Sequence, residues 1–120
     1  MNNKKYDTIC KTAVEFVKDA TFGLKVKTEK ESEQLLAYVF GVFGKIACTY
    51  DTNESVGTIL QYHLMNSQNI SESESKKKLS MYQEMAMRYY SEYRQAAEDL
   101  DDWSKSAVKP KGFFKKLVTS

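Results

Sequence analysis

Turn-forming residues are scarce in this sequence of 120 residues, which contains one proline and 5 glycines. A β-sandwich or β-barrel needs a turn every ~8 to 12 residues, and turns draw heavily on these two residue types. The shortage therefore argues against an all-β protein and favours helices. A hydrophobic fraction of 42% is enough to build the core of a single domain.

Cysteine and histidine are also rare. Cys10 and Cys48 fit no Cys-x-x-Cys spacing, so neither a zinc site nor a redox motif is indicated, and we expect both to be buried free thiols. The one histidine, His63, lies on the apolar side of a predicted helix, which favours a partly buried structural role over catalysis. With no Gly-rich phosphate loop or nucleophile elbow in the sequence, we predict a protein that is not an enzyme and uses no metal or cofactor.

No single sign of charge dominates, since 18 basic residues face 16 acidic ones. Arg88 and Arg94 are the only arginines, and base or phosphate recognition relies heavily on arginine, so nucleic acid is not expected as a partner. The most apolar stretch, residues 35–44, falls well short of the ~20 residues of a membrane-spanning helix. The N-terminus lacks the apolar core of a signal peptide, so a cytoplasmic protein is expected.

Apolar residues recur every three or four positions, which predicts an all-α fold: a compact bundle of four main helices. The first helix is predicted over residues 4–20. The second begins at a capping box formed by Thr28 and Glu31 and ends near Cys48. Because its middle is apolar nearly all round, this helix should be the central one. A short third helix is predicted to start at a cap within residues 51–54 and to run to about residue 67.

The second helix also carries a line of small residues at steps of four, three and four. They are Ala37, Gly41, Gly44 and Cys48. Small residues on one side of a helix allow another backbone to come close. We therefore expect a neighbouring helix to pack tightly along this line.

The last helix should start at a cap provided by Ser71 or Ser73, within a polar segment. Its apolar positions follow an unbroken heptad spacing suited to lying along other helices. We call these positions the heptad seam: Leu79, Tyr82, Ala86, Tyr89, Tyr93, Ala96, Leu100 and Trp103. This spacing predicts one long helix.

Four acidic residues near the end of this helix, Glu98, Asp99, Asp101 and Asp102, are close enough in sequence to suggest a cation site. A calcium loop needs a glycine turn among its ligands, and no glycine occurs here. The predicted role is a solvated or salt-bridged helix face.

Residues 107–120 form a basic and partly apolar tail after the bundle domain of residues 1–106. Its candidate contacts with a membrane or an anionic partner are Lys109, Lys111, Phe113, Phe114, Lys115 and Lys116. Lysines are attracted to anionic headgroups, and aromatic rings bury beneath them. In the alternative, the two phenylalanines pack back onto the bundle while the lysines meet the acidic cluster.

The last helix is richer in tyrosine and methionine than one buried seam requires. Side chains of these types are enriched at binding surfaces. The predicted partner-binding residues are Met81, Met85, Tyr89, Tyr90 and Tyr93. In the alternative, neighbouring helices cover these flanks as part of a broader core.

These observations predict a small non-catalytic protein-binding module of the inhibitor, immunity or adaptor type. Its partner would be another protein or a second copy of itself in a homodimer. The alternative function is that of a peripheral membrane protein that binds a membrane surface through the tail.

Overall fold

The structure, a computed structural model, describes residues 3–22, 24–49 and 56–106. In these ranges the chain folds into helices without strands, which confirms the all-α prediction. The helices are α1 (Asn3–Ala20), α2 (Glu29–Thr49), α3 (Val56–Gln68), α4 (Glu72–Arg88) and α5 (Tyr90–Ser106). No helix of the described ranges combines the length and hydropathy needed to cross a bilayer.

The predicted capping box begins α2. The Glu31 amide donates to Thr28 Oγ1 at 3.1 Å, and Glu31 Oε1 accepts from the Thr28 amide at 3.1 Å and from the Lys27 amide at 2.9 Å. These bonds satisfy backbone donors that a helix start leaves free. Thr28 and Glu31 therefore fix where α2 begins.

Of the two caps considered for the fourth helix, the structure uses Ser71. Its Oγ accepts from the Glu74 amide at 3.1 Å, and its backbone is extended. Asn69, two residues earlier, has φ 52°, a left-handed conformation that asparagine tolerates better than most residues. The reversal from α3 to α4 is therefore short and locally encoded.

The second helix is central, as predicted from its apolar middle. It packs against each of the other four helices, and its contact with α5 is the most extensive. Tyr38, Val42 and Phe43 of α2 are almost fully buried, together with Phe16 of α1 and Ile59 of α3. The core therefore surrounds α2.

Hydrogen bonds from aromatic side chains to carboxylates join the helices around this core. They are Tyr38 to Asp99 at 2.7 Å (α2 to α5), Tyr62 to Asp7 at 2.7 Å (α3 to α1) and Trp103 to Asp19 at 3.2 Å (α5 to α1). Bonds to ionised acceptors are stronger than those between neutral groups. Two tyrosines and the tryptophan thus join helices of the bundle.

The heptad seam predicts one long last helix, but the structure divides it in two at Tyr89. Tyr89 has φ −115° and ψ 60°, outside the helical region, and its carbonyl accepts from the amides of Glu92 and Tyr93 to begin α5. No glycine or proline lies between residues 72 and 106. The bend is therefore imposed by packing against α2, which local spacing does not reveal.

Candidate protein-binding surface

The five predicted partner-binding residues occupy different environments. Met81 and Tyr90 are 53% and 58% exposed, whereas Met85 is only 5% exposed and Tyr89 and Tyr93 are half-buried. The core thus covers Met85 in the way that the alternative interpretation expects. The described residues of the set that remain accessible are Met81, Tyr90 and part of Tyr93.

Met87 is the most exposed large apolar side chain of α4, at 82%. It precedes the bend at Tyr89, and Tyr90 follows it directly. Exposed apolar side chains on a small protein are informative where they cluster. Two of them, Met87 and Tyr90, lie within four residues of chain on the two sides of the bend.

The tight contact expected along the small residues of α2 occurs at Gly41. A Cβ added there would lie 2.4 Å from the Tyr93 carbonyl oxygen and 2.9 Å from Ala96 Cβ, closer than real atoms approach. Only glycine lets the α5 backbone lie this near to α2. Gly41 therefore fixes the point at which the two helices meet.

One turn further along α2 the helices diverge. A Cβ at Gly44 would meet only Val56 Cγ2 at 3.8 Å and Tyr93 Oη at 3.9 Å, both ordinary contacts. A groove of about 470 Å³ opens here between α2 and α5, with the start of α3 at one side. We call it the α2–α5 groove. It is lined by Gly41, Gly44, Lys45, Ala47, Cys48, Val56, Tyr93, Arg94, Ala97 and Glu98.

A chain of aromatic rings runs from the core to the edge of this groove. The rings of Phe40 and Tyr93 are 6.0 Å apart, and Tyr93 stacks on exposed Tyr90 at 5.7 Å with an interplanar angle of 27°. Offset stacking at such distances stabilises aromatic pairs and restricts their rotamers. Tyr90 is therefore an exposed ring held in place by a ring that is packed on the core.

Charged side chains of both signs surround the apolar floor of the groove. Lys45 pairs with Asp101 at 3.7 Å across the two helices, and Arg94 and Glu98 lie one turn apart on α5. Because the pair between Lys45 and Asp101 is partly solvated, its contribution to stability is small. An apolar centre with a polar rim is the usual composition of a protein interface.

The acidic residues of the α5 cluster differ in their environment. Asp99 is buried, whereas Asp101 takes part in the pair with Lys45 and remains exposed. This agrees with the predicted salt-bridged face, except that burial of Asp99 was not expected. Within the described ranges no group of three or more histidine, cysteine or acidic side chains could hold a metal ion.

The two cysteines differ, although both were expected to be buried. Cys10 is buried in the core, but Cys48 is exposed and lines the α2–α5 groove. Burial and the nearby Asp7 raise the pKa of the Cys10 thiol to about 11. The expectation failed for Cys48 because the groove opens where its helix face diverges from α5.

His63 is half-buried, as predicted, and its ring lies 5.2 Å from the ring of Phe43. Burial lowers its pKa, so the neutral imidazole is favoured. It does not line the α2–α5 groove. The six predicted contacts of the tail, Lys109, Lys111, Phe113, Phe114, Lys115 and Lys116, lie outside the described residues.

Sequence spacing indicated the contact at Gly41 but missed the groove beside it. Cys48, Val56 and Ala97 come from three helices, and no local pattern links them. Comparison with known proteins found no matching family model, no similar curated protein and no similar solved structure.

Proposed function

We propose that this protein is a non-catalytic binding module whose α2–α5 groove receives an amphipathic helix of a partner protein. The observation that carries the proposal is the groove of about 470 Å³ whose wall residue, Tyr93, stacks on exposed Tyr90. Helices bind in apolar grooves through side chains spaced three or four residues apart. Rigid tyrosines beside such a groove are frequent anchors of binding energy.

The floor of the groove supports a helical occupant. Gly44 is partly exposed and carries no side chain to fill the centre of the groove, so apolar side chains of a partner can reach the α2 backbone there. Lys45, Arg94 and Glu98 supply charges of both signs at the rim, where they can orient a partner helix. The lone histidine packs against Phe43 rather than facing this space, so it takes no part in the proposed contact.

Site-specific photo-crosslinking in the native host tests the proposal. A photoreactive amino acid replaces Tyr90 in one version of the chain and Lys11, an exposed residue of α1, in the other. We expect one partner to be captured from the Tyr90 position and not from the Lys11 position. Equal capture at both positions would count against a surface at the α2–α5 groove.

The affinity of variants for the captured partner then shows whether the partner binds in the groove or on the surface around it. Tyr90→Ala should weaken binding about tenfold or more, as anchoring aromatics usually do. Gly44→Phe should also abolish binding, because the new ring fills the groove while its Cβ meets only ordinary contacts. Glu74→Ala, an exposed position at the start of α4, is the matched control. Unchanged affinity in the Gly44 variant contradicts the proposal.

A further inference from the structure

The bend between α4 and α5 interrupts a segment whose local sequence favours a continuous helix. Residues 72–106 include no glycine, proline or β-branched residue, so nothing in the chain itself breaks the helix at Tyr89. Every member of the heptad seam is buried or half-buried on both sides of the bend. The same apolar stripe thus serves α4 and α5 in turn.

The bend is held by contacts with α2. The carboxylate of Glu33 accepts from the Tyr89 hydroxyl at 3.0 Å through Oε1 and from Arg88 Nη1 at 3.4 Å through Oε2. Glu33 belongs to the second turn of α2 and lies far from the bend in sequence. One acidic side chain therefore ties both residues at the junction to the central helix.

A straight helix would extend beyond the present dimensions of the molecule. A continuous helix over residues 72–106 would be about 52 Å long, whereas the longest dimension of the molecule is 41 Å. Straightening would carry α5 away from Gly41 and from Tyr38, leaving apolar faces of both helices uncovered. A second copy offers the identical faces to cover them.

We infer that this protein forms a domain-swapped dimer in which α4 and α5 become one helix and each α5 packs on the α2 of the other copy. The exchange remakes the contact at Gly41 and the bond between Tyr38 and Asp99 between chains. Only the junction differs, so the balance between monomer and dimer depends on the bond network of Glu33. The monomer is the form in which that network is intact.

Release of the junction tests the inference. Glu33→Ala removes the shared acceptor, and Tyr89→Phe removes only one donor, so the second variant keeps the test valid if the first folds poorly. Glu29→Ala is the control, as an exposed acid in the first turn of the same helix. Light scattering after chromatography should show a dimer fraction several-fold larger than that of the unmodified protein for both junction variants, and no increase for the control. If both junction variants remain monomeric at every concentration, the inference is overturned.

A proline at position 90 supplies the opposite test. Position 90 is the first residue of α5, where proline fits, but in a continuous helix the same proline would lose a hydrogen bond and clash with the preceding turn. Tyr90→Pro combined with Glu33→Ala should therefore restore the monomer. A dimer fraction that proline leaves unchanged contradicts a straightened junction.

Distance measurement distinguishes a swapped dimer from two bent copies in contact. Spin labels at Ser80 and Lys105, both exposed, would lie about 38 Å apart in a continuous helix. They should be closer in the monomer because of the bend. Labelled chains diluted with unlabelled ones, in a Cys48→Ser background, report the distance within one chain. Dimers that retain the monomer distance would overturn the inference.

Discussion

Tyr38 donates its hydroxyl to the carboxylate of Asp99 at 2.7 Å, and both side chains are buried between α2 and α5. Gln95 Nε2 donates to the other carboxylate oxygen of Asp99 at 2.9 Å. Burial raises the pKa of Tyr38 well above its usual range, and the charge of Asp99 and the hydrogen bond raise it further. Tyr38 therefore remains the donor at any physiological pH.

Removal of this hydroxyl should destabilise the fold. Tyr38→Phe keeps the ring but leaves the buried carboxylate of Asp99 without one of its donors, and we expect the free energy of unfolding to fall by about 2 kcal/mol. Tyr62→Phe is the matched control, because its bond to Asp7 is exposed and should contribute less. Urea unfolding followed by circular dichroism measures both. Equal losses in the two variants would show that burial of Asp99 does not set the cost.

The two glycines of α2 predict opposite effects of the same substitution. Gly41→Ala places a Cβ 2.4 Å from the Tyr93 carbonyl oxygen, so the helices must separate, and we expect a net loss of about 2 kcal/mol. Gly44→Ala makes only ordinary contacts in the groove and should gain up to about 1 kcal/mol, since alanine is the better helix former. Thermal unfolding of the two variants checks the signs. A stabilised Gly41 variant would contradict the close approach of α2 and α5.

Thiol reactivity should distinguish the two cysteines. Cys48 is exposed, whereas Cys10 is buried with its pKa raised to about 11, so little thiolate forms at Cys10 near neutral pH. A maleimide should label Cys48 alone in the folded protein and both thiols in denaturant, as read by mass spectrometry. Cys48→Ser should abolish native-state labelling. Rapid native labelling of Cys10 would show that α1 opens readily from the core.

Stability should fall as the pH is lowered from 7 through about 6.5 because of His63. Its pKa is lowered by burial in the folded state, so the unfolded chain, with a pKa near 6.5, binds more protons in this range. Proton uptake by the unfolded chain then reduces the free energy of unfolding. As the only histidine, His63 should account for this dependence, and His63→Gln should flatten the profile between pH 7 and 5.5. A profile that keeps its slope in the variant would assign it to other groups.

Much of the fold could be predicted from the sequence because the signals are local. Thr28 with Glu31, and Ser71, cap helices through atoms within three residues of each other, so their spacing alone indicates the helix starts. The apolar circumference of α2 predicted its central place for a similarly direct reason. The line of small residues indicated where a second backbone would approach.

Only the tertiary structure decided where the last helix bends, which cysteine is exposed and where the groove lies. Tyr89 leaves the helix where α4 and α5 both pack against α2, and its hydroxyl donates to Glu33, more than fifty residues earlier in the chain. No neighbour of Tyr89 in the sequence indicates these contacts. Cys48 is accessible because α5 diverges from α2 beyond Gly41. Helix identity follows from the spacing of adjacent side chains, whereas bends, exposure and grooves depend on which distant surfaces meet.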